Sequence, residues 1–366
     1  MTRSAAALAD PGAHGRWSRM SRLADPGTLA PLPRRDATVV ASRGRIGDTG
    51  VLLYCTEDEA DPGALSADAG PQVARLIDLA VAEHRAVIGI WATGTARPAR
   101  AHRGAGAAGM ADLGRMFAAM VRASGRVLQI SVVLGPAGED TAYGPALTDF
   151  VIGTGHDGGR TAHITAATED DAFGAARRLT RLVAEPGRFD LRALRSPRPS
   201  PRLDGHNVRL LLEDLFDDGL TELHPVWATE AVTGLGRLGG RTVGVLAGDS
   251  RRFGAAAADK AMGFLRLCDS FLVPLLAVSD EPGDVAGPAR AAERLGRTFA
   301  ELAVPRVVLL TRGADPDPSY SRRLGPAVVL AWPGIGHGQV IDPAGTRLRV
   351  ATALHHQHTL SEGEFE

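Results

Sequence analysis

The sequence predicts a mixed α/β protein made of two similar domains. Short apolar runs alternate with stretches of helical periodicity, and glycine and proline separate them. A segment with three prolines and no apolar pattern divides the chain, so we predict an N-terminal domain over 1–195, a linker over 196–205 and a C-terminal domain over 206–366. The same order of elements occurs on both sides of this segment. With 366 residues, the chain is long enough for two domains of ordinary size.

The elements of the first half follow a strand–helix–strand–helix–strand order. Buried-type apolar runs predict strands at 50–54, 86–91 and 127–134. Amphipathic spacing predicts helices at 71–84 and 109–123 between them. The run ends at Gly135, where a turn is expected.

The second half repeats this order, with strands predicted at 244–248, 273–279 and 306–311 and helices at 258–271 and 287–303. The offset between matched points is 194 from Gly50 to Gly244 and 187 from Ile88 to Leu275. It falls to 178 from Gly135 to Gly313. A slow drift through matched elements indicates a duplicated domain.

Composition and charge exclude several classes of protein. Apolar residues make up 44% and charged residues 23%, as in a folded globular protein, and no apolar run is long enough for a membrane span. The net charge of -1 argues against a nucleic-acid binder. Only two cysteines occur, Cys55 and Cys268, so we expect no structural zinc site and a reducing, cytoplasmic location. Lys260 is the only lysine, which indicates a coding bias toward arginine.

Each half carries a loop of interest at the end of its third strand. These loops start at Gly135 in the first half and at Gly313 in the second. Backbone N–H groups at a turn that leads into a helix can stabilise an oxyanion, because the first helical turn has unpaired donors. The alternative is an ordinary surface turn.

Several segments resemble a known family in sequence and in order. They are Leu23–Leu29, Ser124–Ser131, Tyr143–Ile152, Gly234–Arg241, Arg266–Phe271, Val273–Pro274 and Ala331–Pro333. The chain resembles the carboxyltransferase (β) subunit of biotin-dependent acyl-CoA carboxylases, such as propionyl-CoA carboxylase. The resemblance implies two tandem crotonase-like (ClpP/crotonase) ββα-superhelix domains, with the acyl thioester bound by the N-terminal domain.

Two glycine pairs of that family are replaced here. The resemblance implies that the first pair would hold the enolate oxygen of the acyl-CoA and that the second would face biotin. The corresponding positions are Glu139-Asp140 and Pro316-Asp317. Since proline has no N–H and a carboxylate repels an oxyanion, we expect that biotin takes no part and that the protein has no cofactor.

The candidate site is placed on these loops. We predict that Ala137 and Gly138 supply backbone donors and that Glu139 or Asp140 moves a proton, since close carboxylates can split their pKa values. The alternative is that both acids are solvated at a helix start. The residues expected to contact the substrate are Arg97, Gly135, Gly313 and Ala314.

Three functions are compatible with these observations. The simplest is an enzyme that decarboxylates a malonyl-type thioester without biotin, on CoA or an acyl carrier protein, because such a reaction does not need the altered biotin-facing loop. One alternative is a carboxyltransferase subunit of a biotin-dependent acyl-CoA carboxylase. Another is a non-catalytic paralogous subunit that assembles with an active partner. The resemblance also implies a homo-oligomer, a dimer or a hexamer.

Overall fold

A computed structural model of the chain divides into two compact units, Met1–Glu185 and Pro186–Glu366. The structure describes residues 11–33, 39–56, 69–92, 107–135, 143–155, 162–196, 208–248, 254–279, 289–311, 327–335 and 338–363. The division falls about ten residues before the boundary expected from the proline-rich segment. Residues 186–196 group with the second unit because Pro186 O accepts the Thr242 N–H at 2.8 Å and the Asp190 N–H donates to Gly239 O at 2.8 Å.

The first unit contains a seven-stranded sheet whose strands follow chain order from one edge to the other. Its first three strands pair antiparallel, and every later pairing is parallel. The strands are β1 (Ala30–Pro31), β2 (Val39–Ile46), β3 (Thr49–Thr56), β4 (Ala86–Ala92), β5 (Gln129–Leu134), β6 (Phe150–Gly153) and β7 (Ile164–Thr165). The helices are α1 (Pro11–Leu23), α2 (Ala69–Glu83), α3 (Ala107–Ala123), α4 (Tyr143–Ala146) and α5 (Glu169–Ala184).

The second unit also has a seven-stranded sheet in chain order. Its strands are β8 (Leu220–Leu223), β9 (Ala231–Leu238), β10 (Arg241–Gly248), β11 (Leu275–Ser279), β12 (Arg306–Leu310), β13 (Val328–Ala331) and β14 (Gln339–Val340). Again the first three pair antiparallel and the rest parallel. The helices are α6 (Val208–Leu215), α7 (Ala255–Ser270), α8 (Ala289–Glu301) and α9 (Thr346–Gly363).

The two sheets therefore have the same strand order and the same strand directions, which is the topology that a duplicated domain produces. All six strands and four helices predicted from sequence are present, with ends that differ by a few residues. The structure adds a strand before each predicted first strand, β2 and β9, which closes an antiparallel hairpin with it. The helices α2, α3, α7 and α8 connect the parallel pairs β3–β4, β4–β5, β10–β11 and β11–β12 as crossovers.

The core of the first unit lies between the sheet and the pair α2 and α3. Val73 and Ile77 of α2 and Met116 and Met120 of α3 are at most 1% exposed and join one cluster with the sheet. All seven residues of β4 are buried, because helices cover both faces of a parallel sheet. Burying such a side chain fully contributes about 1.5–3 kcal/mol to stability, so this layer holds the strand ends in place.

The second unit is built in the same way around α7. Cys268 and Leu275 approach Gly244 of β10 so closely that a Cβ there would lie 2.6 Å from the cysteine Sγ. Cys268 is fully buried and acts as a small apolar residue of this core. Among the helices of the described residues, none has the length and apolar composition needed to cross a membrane.

Candidate functional site

The carboxyl ends of the parallel strands lie along one edge of each sheet, where open α/β sheets bind ligands. We call the residues at this end of the first sheet the first edge: Thr56, Trp91, Gly135 and Thr154. The corresponding residues of the second sheet are the second edge: Gly248, Ser279, Thr311 and Trp332. Each edge is described below within its own unit.

Gly135 is the one predicted site residue that the structure describes. It follows β5 with φ of +93°, a conformation that glycine adopts without strain. Its N–H donates to Thr154 Oγ1 at 2.8 Å, and the Thr154 N–H donates to Val133 O at 3.0 Å. Thr154 therefore extends the pairing of β5 and β6 by one step and fixes the direction in which the chain leaves β5.

The other predicted site residues lie outside the described part of the chain. The predicted donors and proton carriers belong to segment 136–142, which follows Gly135 directly: Ala137, Gly138, Glu139 and Asp140. The predicted substrate contacts Arg97, Gly313 and Ala314 also lie outside the described residues, as do Pro316 and Asp317. Their roles stay predictions. The structure fixes the strand ends from which these segments start.

An aromatic wall stands at the first edge, and sequence reasoning did not identify it. Trp91 is 4% exposed and packs edge-on against Tyr54, with ring centroids 5.6 Å apart. Its indole N–H donates to Ser131 Oγ at 3.0 Å, which fixes the orientation of the ring. A Cβ on Gly144 of α4 would lie 3.1 Å from this ring and 3.5 Å from Phe117. These rings belong to the buried core of the first unit and pack the carboxyl end of β4 against α3 and α4.

Asp149 is a perturbed carboxyl group that lies at the opposite end of the first sheet. Its Oδ2 accepts the N–H of Gln129, the first residue of β5, at 2.8 Å. Burial raises the pKa of Asp149 to about 7, against which the hydrogen bonds from Gln129 and Ser124 act. Because β5 begins here and ends at Gly135, Asp149 anchors the strand that supports the site and is remote from the first edge.

The second edge brings two hydroxyl side chains together. Ser279 and Thr311 are 5% and 6% exposed. The carbonyl oxygen of Ser279 accepts the Thr311 N–H at 3.2 Å and the Thr311 Oγ1–H at 3.4 Å. Trp332 continues the pattern, since its N–H donates to Leu310 O at 3.0 Å and its indole N–H to Thr346 Oγ1 at 2.9 Å.

Lys260 holds the backbone that precedes β9 at the same end of the second unit. Its Nζ donates to the carbonyl oxygens of His224, Trp227 and Ala231 at 2.8, 3.0 and 2.7 Å. Ala231 pairs with Gly248, so the lysine fixes the chain next to the second edge. Burial lowers the pKa of Lys260 to about 8. Because all three ammonium hydrogens donate to backbone carbonyl oxygens, we assign this lysine a structural role and not a role in substrate binding.

A cavity of about 300 Å³ in the second unit lies away from the second edge. Its lining consists of Asp190, Ala193, Leu194, Ser196, Asp217, Gly239, Gly240, Ala344 and Arg347. Asp217 pairs with Arg347 and accepts the N–H groups of Gly239 and Gly240, the turn of the β9–β10 hairpin. These polar groups hold the turn at the amino end of β10. Within the described residues, no three histidine, cysteine or acidic side chains form a metal site.

Most of the sequence matches a protein family. The model of the carboxyl transferase domain matches residues 8–168 and 161–347, one match in each half. The propionyl-CoA carboxylase beta chain of Rhodococcus erythropolis is 37% identical over 373 residues, which is 86% of this chain and 77% of the relative. The biotin-dependent acetyl-/propionyl-coenzyme A carboxylase beta6 subunit of Mycobacterium tuberculosis is 34% identical, with the same coverage.

Solved structures show the same fold. A transcarboxylase 12S structure, described as a hexamer assembly with methylmalonyl-coenzyme A and methylmalonic acid bound, has a TM-score of 0.78 and covers 94% of this chain and 89% of its own at 23% identity. A single-chain, multi-domain long-chain acyl-CoA carboxylase has a TM-score of 0.70 over 96% of this chain and 44% of its own, also at 23% identity. The two tandem crotonase-like domains implied by the resemblance are confirmed. Because the family model matches both halves and a relative is 37% identical over 86% of the chain, the chain belongs to the carboxyl transferase domain family.

Proposed function

We propose that this chain is an acyl-CoA carboxyltransferase, which moves a carboxyl group between a carboxylated carrier and the α-carbon of an acyl-CoA. The observation that carries the proposal is the 37% identity to a propionyl-CoA carboxylase beta chain over 86% of this chain. Both halves match the family model, so the likeness includes both sheet edges.

The reaction places defined demands on the chain. The α-carbon of the acyl thioester loses a proton, and negative charge develops on the thioester oxygen. The α-carbon then bonds to the carboxyl carbon as the bond from that carbon to the carrier breaks, and the departing carrier takes up the proton. Backbone donors that point at the developing oxyanion lower this barrier. Gly135 starts the segment in which the predicted donors lie, and Thr154 fixes its direction.

The biotin-independent decarboxylase, our first interpretation of the sequence, receives no support from these relatives. Their names specify carboxylases, and they favour the carboxyltransferase alternative. The expectation that biotin takes no part depends on Pro316 and Asp317, and it stays a prediction. Proline has no amide hydrogen to donate to the ureido oxygen of biotin. The experiment must therefore identify the carboxyl donor.

The test supplies the purified protein with propionyl-CoA or acetyl-CoA, labelled bicarbonate, ATP, a biotin carboxylase and its biotinylated carrier protein. The proposed carboxyltransferase predicts label in the carboxylated acyl-CoA, with the carboxylated biotin of the carrier as the carboxyl donor in this assay, whereas the prediction that biotin takes no part expects no such label. Loss of this signal on addition of avidin would overturn the prediction that biotin takes no part. Parallel samples contain malonyl-CoA or methylmalonyl-CoA without a carrier.

The remaining outcomes separate the other functions. Release of CO2 from the malonyl thioesters, without carboxylation in the first assay, would replace the proposal with the decarboxylase. No turnover in either assay, together with binding to an active homologous subunit, would replace it with the non-catalytic role. The predicted homo-oligomer is checked on the same sample, since sedimentation of a 38.2 kDa species alone would contradict it.

A further inference from the structure

Ser279 is a polar residue at the end of an otherwise apolar strand. It is the last residue of β11, after Leu275, Leu276, Ala277 and Val278. Only 5% of it is exposed, and neighbouring strands flank it in register on both sides, at Gly248 and Leu310. Its carbonyl oxygen is used by Thr311, so the backbone at this position is already hydrogen-bonded.

The hydroxyl group of Ser279 differs from those of other buried strand serines. Its Oγ has no hydrogen-bond partner among the residues that the structure describes. In contrast, Ser131 Oγ on β5 accepts the Trp91 indole N–H at 3.0 Å, and Ser42 Oγ on β2 donates to Ala30 O at 2.9 Å. A buried hydroxyl without a partner lowers the stability of the protein, and natural proteins retain such groups chiefly at functional sites.

The position of Ser279 specifies what it could contact. It lies at the carboxyl end of a parallel strand, where ligands of open α/β sheets bind. The four residues of the second edge carry no charge, so this edge offers hydroxyl and backbone groups to a ligand. A neutral hydroxyl donor suits an uncharged carbonyl oxygen better than it suits a phosphate or a carboxylate, because a buried anion needs a cationic partner.

We propose that the Ser279 hydroxyl donates a hydrogen bond to a carbonyl oxygen of a substrate that binds at the second edge. The proposal rests on the proposed carboxyltransferase function, which supplies two candidate substrates, the acyl thioester and the carboxylated carrier. Ser279 is then a binding residue for one of them. Among the residues that the structure describes, nothing pairs with this hydroxyl, and the substrate supplies its partner.

The test compares Ser279→Ala with Ser131→Ala, the same change at a buried serine whose Oγ has a partner. Removing an unsatisfied hydroxyl should raise the Tm of the free protein by about 2–4 °C, whereas Ser131→Ala should lower it because the Trp91 N–H loses its acceptor. Ser279→Ala should also lower kcat/KM about five- to tenfold for one of the two substrates. Ser279→Cys, which keeps a weak donor of similar size, should fall between alanine and serine.

Each outcome decides the proposal. A fall in Tm for Ser279→Ala as large as that for Ser131→Ala would show that the hydroxyl has a partner in the free protein and would overturn the proposal. An unchanged kcat/KM for both the acyl-CoA and the carboxyl donor would overturn it too. If the wild-type protein shows no turnover, the proposed function has failed. Calorimetric titration with propionyl-CoA and with the carboxylated carrier then tests the contact with Ser279. A Kd for either ligand that is higher in Ser279→Ala than in the wild type supports the contact, and unchanged Kd values refute it.

Discussion

Replacement of Lys260 by methionine tests how the second unit holds the chain beside its sheet edge. Methionine has nearly the same length and keeps the apolar packing of the lysine stem, but it donates no hydrogen bond. Three carbonyl oxygens, those of His224, Trp227 and Ala231, then lose their donor in a place where the lysine is only 4% exposed. We expect the variant to fold with a weakened segment 224–231.

The size of the effect follows from two opposing contributions. Each hydrogen bond from a charged donor contributes about 1.5–3 kcal/mol to stability, and three of them act here. Burial of the ammonium opposes them, because the fall in the pKa of Lys260 from 10.5 to about 8 corresponds to roughly 3 kcal/mol. The difference predicts that Lys260→Met lowers the free energy of unfolding by about 1.5–6 kcal/mol.

Two measurements check this prediction. Urea unfolding gives the stability change, with Arg294→Met as control, because the exposed pair of Arg294 with Asp259 should contribute at most about 0.5 kcal/mol. Since Lys260 is the only lysine, an amine-specific reagent should label the folded wild type at the α-amino group alone and the unfolded chain at two amines. A methionine variant as stable as the wild type, or ready labelling of Lys260 in the folded protein, would refute the assigned role.

Three further predictions concern the first unit. Because the folded carboxyl of Asp149 has a pKa of about 7 and the unfolded one a pKa of 3.8, the free energy of unfolding should fall by at most about 4 kcal/mol as the pH rises from about 4 to about 7. Asp149→Asn should remove this decrease in urea unfolding at a series of pH values. Gly70→Ala should lower the free energy of unfolding by about 1–3 kcal/mol, since its Cβ would lie 2.4 Å from a backbone oxygen of α3. Gly114→Ala on α3, which has open space around it, should raise it slightly. Equal effects of the two variants would contradict this packing. Gly144→Ala should shift the indole of Trp91 and change its fluorescence, and an unchanged spectrum in Gly144→Ala would argue against the close contact.

The central strands and helices of both units could be predicted from sequence because burial on both faces leaves an uninterrupted apolar run. β4 is the clearest case, with all seven residues buried. The hairpin strands β2 and β9 could not be recognised in the same way. β9 contains Gly234 and Gly236, where a Cβ would collide with Thr221 O and the Phe216 ring. Glycine weakens the strand signal, and the close approach that requires it is visible only in the fold.

The candidate site was predictable only in part. Gly135 could be found because it ends an apolar run, but its partner Thr154 lies 19 residues further along the chain and is set by the pairing of β5 with β6. The role of Lys260 was also hidden, although its being the only lysine was a signal. Its three acceptors come from a segment about 30 residues earlier, which reaches α7 only in the folded unit.

The outermost strands of the two sheets determine how these molecules can associate. An outermost strand with no neighbour on one side can pair with a strand of another molecule, and long exposed strands of this kind promote aggregation. Within the described part of the chain, three of the four outermost strands, β1, β7 and β14, are two residues long, and β1 contains Pro31, which has no amide hydrogen. Each such strand offers too few hydrogen-bonding groups to template a neighbour. We therefore expect concentrated protein to associate through side-chain surfaces and not by extension of its sheets into fibrils.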